Sequence, residues 1–313
     1  MLAVLEQPRW WVMALAAFLL RGGILLLLLL IVPIPTTAGL ANSLGPTLVG
    51  FVFGGASASF VVLVGALSAT LLAWLLLGGL VGAWLDLVLV REVAARNESA
   101  GPDRAAVVEG DHVPPGPSGR FAHGGVARAL LVRLLAHLPT LVVIVWGAAR
   151  LVDQGYQELI RPGDPTLPVV LRVVLRVPEV VGLLLAAWMA GEALGGLAVR
   201  HLAAGASVLR SIGRAAIALV RPTGLLVLVL TNGVIVAFVG LGGLAVAIAY
   251  SHARAVLQDG IGGAAGPVAL LLLSIAWLGS LAVIGLAAAW RSAAWTFEVE
   301  RRLPDRTAGP SGH

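Results

Sequence analysis

The chain has 313 residues, 59% hydrophobic and 12% charged, with a formal net charge of +5 and a mean hydropathy of +0.97, far from the roughly half apolar and quarter charged composition of soluble domains. No Asp, Glu, Lys or Arg lies between Arg21 and Asp86, and similar stretches recur at 222–253 and 260–290, each longer than the ~20 residues that cross a bilayer as a helix. This excludes a soluble fold, and nucleic acid as a partner. All 21 basic residues are arginine and lie between apolar stretches, where they read as topology signals and contacts to anionic lipid headgroups. Without lysine there is no Schiff base or Walker phosphate loop, and without cysteine no disulfide, thiolate nucleophile or iron-sulfur centre.

The first expected span, residues 10–32, opens on Trp10 and Trp11 as interfacial aromatics and stops at Pro33 and Pro35. Arg21 interrupts its apolar core and no small-x-small cleavage site follows, so it is expected to be retained rather than cleaved as a signal peptide. Residues 44–53 are apolar but too short to cross, which suits an interfacial or re-entrant piece. The second span lies within 60–90. The charged, Gly- and Pro-rich stretch 94–125 cannot form a packed core and is expected to be a disordered loop.

The third span is confined to the 16 uncharged residues between Arg133 and Arg150, whose side chains are expected to snorkel to opposite interfaces. Arg172 and Arg176, four apart among Val and Leu, predict an amphipathic helix lying flat on the membrane. The fourth span covers 178–199, a second amphipathic segment with Arg210 and Arg214 covers 207–219, and the fifth span follows at 222–249. The sixth, 267–290, continues as helix to Glu300, and 303–313 should fray. With six spans, one side carries 15 arginines and the other five. The positive-inside rule then puts both termini and the long loop in the cytoplasm.

The inward-running spans share a small-Ala-Trp element ending at Trp84, Trp188 and Trp290, and two outward-running spans begin Pro139-Thr140 and Pro222-Thr223 after a basic amphipathic segment. These elements predict three tandem hairpins, at 1–93, 126–205 and 206–302, separated by a disordered loop at 94–125 and ended by a disordered tail at 303–313. The alternative is chance recurrence of two abundant residue types. The fold class is all-α, a polytopic bundle of six transmembrane helices. This layout, with its Ala-Leu-Arg vocabulary, resembles uncharacterised six-span bacterial integral membrane proteins and, more loosely, the membrane domain of glycerophosphodiester phosphodiesterases. The resemblance implies a lipid-facing module in a bacterial cytoplasmic membrane and carries no functional residue across.

Charges inside spans are costly and mark candidate sites. Arg21 and Glu192 are the deep candidates, as a structural ion pair or a polar pocket for an anion or proton. Asn232 joins them as a helix-bridging amide. Asp86, five residues before Arg91, and Arg291, directly after Trp290, are expected to be interfacial and snorkelling. Gly78, Gly82, Gly191, Gly195 and Gly196 form small-residue faces for close helix approach. No His-Glu-x-x-His metal spacing and no Gly-x-Ser-x-Gly elbow occurs, so no catalytic residue, metal ligand or cofactor is assigned and no enzymatic activity is expected. The functional expectation is a lipid-interacting accessory or assembly module, with a partner membrane protein or a second copy as possible companions. The alternative is a small-solute or ion permease built around Arg21 and Glu192.

Overall fold

A computed structural model of the chain describes residues 4–24, 54, 57–99, 125–160, 169–258 and 264–302, and among these residues there is no strand. The expected re-entrant piece at 44–53, most of the long loop and the tail at 303–313 lie outside the described residues.

Helix α1, Pro8–Phe18, starts with proline in its first turn, where the missing N–H costs nothing. It runs into a π turn at Leu19–Gly23 and breaks there: Arg21 has φ −85° and ψ 16°, and Gly22 has φ +99°. A left-handed residue ends an α-helix, and glycine accepts that conformation without a Cβ clash. The first expected span is therefore not one straight helix, and its part beyond Ile24 is outside the described residues. Helix α2, Ala58–Ala73, continues through a second π turn at Trp74–Gly78 into α3, Gly79–Ser99.

Residues 94–99, expected to be loop, are thus helical. Burial of Val90, Val93 and Ala94 holds this end, and two polar ties secure it, Arg96 to Glu6 at 2.7 Å and Asn97 to Glu300 at 2.8 Å. Together with Arg9 to Glu92 at 3.0 Å, the first of these ties shows that α1 and α3 run antiparallel.

Helices α4, Val126–Ala136, and α5, Leu138–Ile160, meet at His137 with a bend of 44°. Pro139 has no N–H to give the preceding turn, so the helical ladder cannot pass straight through. The short α6, Val169–Leu175, leads to α7, Pro178–Ala203, then α8, Val208–Val220, α9, Pro222–Gln258, and α10, Ala265–Glu300. Among the described residues, four stretches are long and apolar enough to cross a membrane: Ser68–Asn97, Pro178–Ala203, Pro222–Gln258 and Ala265–Glu300. The bent pair of α4 and α5 makes a fifth if counted as one span.

The flat amphipathic helix expected around Arg172 and Arg176 is corrected in one respect. Both side chains pair with Glu158 at the end of α5, at 2.9 and 2.7 Å, and Glu158 is buried. An internal carboxylate, not a lipid headgroup, takes these two cations.

Two apolar cores hold the bundle. One gathers Leu87, Val90, Val132, Leu197, Trp295 and Val299, and the other Trp10, Phe18, Leu89, Val93, Ile235 and Ile284. Helix α3 runs between them, as its i, i+3, i+4 spacing allows. Of the three tryptophans that suggested a repeat, Trp84 is exposed, whereas Trp188 and Trp290 pack against the second core.

Candidate functional site

Between the two cores the helices bring their charged residues together. Arg21 stands at the broken end of α1, where a cation faces the negative end of the helix dipole. Its NH1 donates to Asp86 Oδ2 on α3 at 2.6 Å. Arg133 of α4 donates to the same Asp86 oxygen and from NH1 to Glu192 Oε1 on α7 at 3.5 Å. Glu192 also lies 3.7 Å from Arg21 Nε and 3.6 Å from His137 Nε2, and its other oxygen accepts from Arg291 NH2 at 3.2 Å. Arg291 NH1 donates to Asn232 Oδ1 at 3.0 Å, and the amide nitrogen of Asn232 reaches the Met189 carbonyl at 3.5 Å.

A fourth arginine completes the cluster. Arg200, 1% exposed, donates from Nε to Thr296 Oγ1 at 3.0 Å and from NH1 to the Gly196 carbonyl at 2.6 Å. Its NH2 donates to the Ser292 carbonyl and hydroxyl at 2.8 and 2.6 Å. All of these acceptors are neutral. The Trp295 ring lies between two guanidinium groups, 5.6 Å from Arg200 and 4.9 Å from Arg291. Its face attracts cations, and its Nε1 donates to Thr231 Oγ1 at 3.1 Å.

Glycines make this approach possible. A methyl group at 196 would overlap the Trp295 ring, and one at 191 would press on His137. Gly82 leaves room for the stem of Arg21.

All five residues singled out from the sequence, Arg21, Glu192, Asn232, Asp86 and Arg291, therefore meet in one network. One expectation is corrected: Asp86 and Arg291 are buried inside the bundle instead of snorkelling outward, because the arginines and the acids compensate one another there. The expected pair of Arg21 with Glu192 is present at 3.7 Å, and Arg21 adds a closer contact with Asp86, because the break at Gly22 ends α1 beside α3.

Arg133, expected to snorkel to an interface, is a buried partner, and so is Arg200, which the sequence did not single out. The legible signal for them was periodic. Glu192, Gly196 and Arg200 are four apart on α7, as are Arg291 with Trp295 and Ser292 with Thr296 on α10, so each set shares a helix face.

The network borders a partly open cavity of about 10 Å³, lined by Arg21, Asp86, Arg133, Arg200, Arg291 and Trp295 among others, which is room for about one water molecule. Among the described residues, no group of three or more His, Asp or Glu could hold a metal ion. No family model matches the chain, and neither do any of the curated proteins or solved structures with which it was compared.

Proposed function

We propose that the chain is a lipid-interacting membrane module, accessory or assembly in role and without catalysis of its own. It would sit in a bacterial cytoplasmic membrane through six spans, with both termini and the loop at 94–125 in the cytoplasm. The observation that carries this reading is the outward face of α8. Ser211, Ala215 and Ala218 pack inward, while Leu209, Ile217 and Val220 point away, Val220 being 85% exposed. Arg210, Arg214 and Arg221 are exposed on the adjoining face. Apolar side chains beside a row of arginines suit the boundary between acyl chains and anionic headgroups. The layout that resembles the phosphodiesterase membrane domain supports the same reading. Exposed apolar side chains on α5, α9 and the first half of α10 suit contact with lipid, a partner membrane protein or a second copy.

Two measurements test this. Native mass spectrometry of the purified chain should retain anionic lipid adducts, and replacing Arg210, Arg214 and Arg221 together by Gln should remove them while the fold persists; equal retention would refute the reading. The native sequence has no cysteine, so single cysteines at Thr37, Asp164 and Asp259 should label from outside sealed cells and one at Gly110 should not. External labelling at position 110 would reverse the orientation.

The permease reading has the charges at Arg21 and Glu192 in its favour. The space around them among the described residues is about the size of one water molecule or a single small ion, which supports the lipid reading over the permease. Flux of a labelled solute into proteoliposomes above that of empty liposomes would favour it over the lipid reading.

A further inference from the structure

The charges of the buried network do not balance. Among the described residues it holds four guanidinium groups, Arg21, Arg133, Arg200 and Arg291, against two carboxylates, Asp86 and Glu192. Arginine cannot relieve the surplus by losing a proton, because guanidinium stays charged in proteins. A water molecule in the space of about 10 Å³ beside these groups brings no charge to offset it. Among the described residues Arg200 makes no ion pair with a carboxylate, only bonds to neutral oxygens.

Donors remain around that space. Arg21 Nε and Arg133 Nε are buried without a hydrogen-bond acceptor among the described residues. The Ser292 hydroxyl accepts from Arg200 and keeps its own proton to donate. Arg21, Arg133, Arg200, Arg291 and Ser292 all line the same cavity, and the Asp86 carboxylate, already bonded to Arg21 and Arg133, lines it too.

We propose that this cavity is a binding site for one small monoatomic anion of the halide class, held by the guanidinium groups of Arg21, Arg133, Arg200 and Arg291 and by the Ser292 hydroxyl. Size selects the class. The space matches about one water-sized sphere, which suits a single-atom anion after slight adjustment better than the larger phosphate, sulfate or a lipid headgroup. Charge supplies the affinity, because a buried cation without a partner is costly and an anion bound only by the folded chain stabilises it by mass action. The ion would join the broken end of α1 to α4, α7 and α10. This inference is independent of the lipid reading, since the exposed arginines of α8 take no part in it.

The test is thermal unfolding of the purified full chain in chloride, bromide or gluconate at one ionic strength. The expected result is a saturable rise in melting temperature with chloride and bromide over gluconate. That rise should persist in Arg254→Gln, which alters an exposed arginine, and disappear in Arg200→Met. Equal melting in chloride and gluconate overturns the proposal, and so does stabilisation by phosphate without stabilisation by halide. If Arg200→Met does not fold, bromide-soaked crystals of the native chain decide the matter. An anomalous peak among Arg21, Arg133, Arg200 and Arg291 supports the site, and its absence there sinks it.

Discussion

The two halves of α7 differ as if they belonged to different proteins. From 191 to 203 nearly every residue is buried, Glu192, Arg200 and His201 included, while from 181 to 190 the side chains are exposed or partly so. Helix α10 divides the same way, with Arg291, Ser292, Trp295 and Thr296 enclosed near one end and Leu270, Leu271, Leu272 and Ile275 exposed near the other. Composition runs opposite to the usual rule, since the charged half is inside and the apolar half outside. In water the exposed leucines would collapse together. In lipid they gain nothing by meeting, because acyl chains are as apolar as leucine, whereas charges and amides must find one another.

If that contrast is right, substitutions in the two halves should differ most where a charge is removed. Asp86→Asn removes the nearer of the two carboxylates that face Arg21 and Arg133, and Glu192→Gln removes the second carboxylate of that pair together with the one that Arg291 meets. Each should cost about 3–5 kcal/mol, the range for breaking a buried pair, read as a lowered unfolding midpoint. Removing Arg21 together with Asp86 should cost less than the two single changes summed; strict additivity would show that the contact at 2.6 Å is energetically idle.

Overpacking comes next. Gly196→Ala forces the Trp295 ring aside and should cost about 1–3 kcal/mol, with a change in the near-ultraviolet signal of the tryptophans. An unchanged midpoint would mean that the ring moves freely and does not separate Arg200 from Arg291.

The break in α1 gives a smaller effect. Gly22→Ala puts a Cβ at φ +99° with open space around it, so only backbone strain opposes it, about 1–2 kcal/mol. A stabilised variant would show that α1 prefers to run straight through Arg21. The smallest effects belong to the outer half, where Leu226→Ile or Leu271→Ile should shift stability by no more than about 0.5 kcal/mol. A loss several times larger at these exposed positions would reveal a protein partner where lipid contact is inferred.

Much of the fold was readable along the chain because a bilayer rewards apolar length. The uncharged stretches at 222–253 and 260–290 became α9 and α10, and Pro222 and Pro178 open helices where expected. Gly22 gave a weaker sign, since glycine is tolerated inside an apolar helix and only its positive φ makes it a break. The charged loop start at 94–99 misled because composition speaks for an isolated segment, while Glu6 and Glu300 hold that end from elsewhere in the chain.

The sequence by itself determined the apolar helices of membrane-crossing length and the residue types too costly to leave alone among them: Arg21, Asp86, Glu192, Asn232 and Arg291. It could not determine their pairing. Depth counted along separate helices set Asp86 and Arg291 apart from Arg21 and Glu192, and that count fails once α1 breaks and α4 bends away from α5. Only the packing of α3, α4, α7, α9 and α10 around the broken end of α1 decided that these groups share one space and that Arg133 and Arg200 join them. The reason is physical: a buried charge constrains the whole bundle to bring it a partner, and the identity of that partner depends on distances between helices that no single helix encodes.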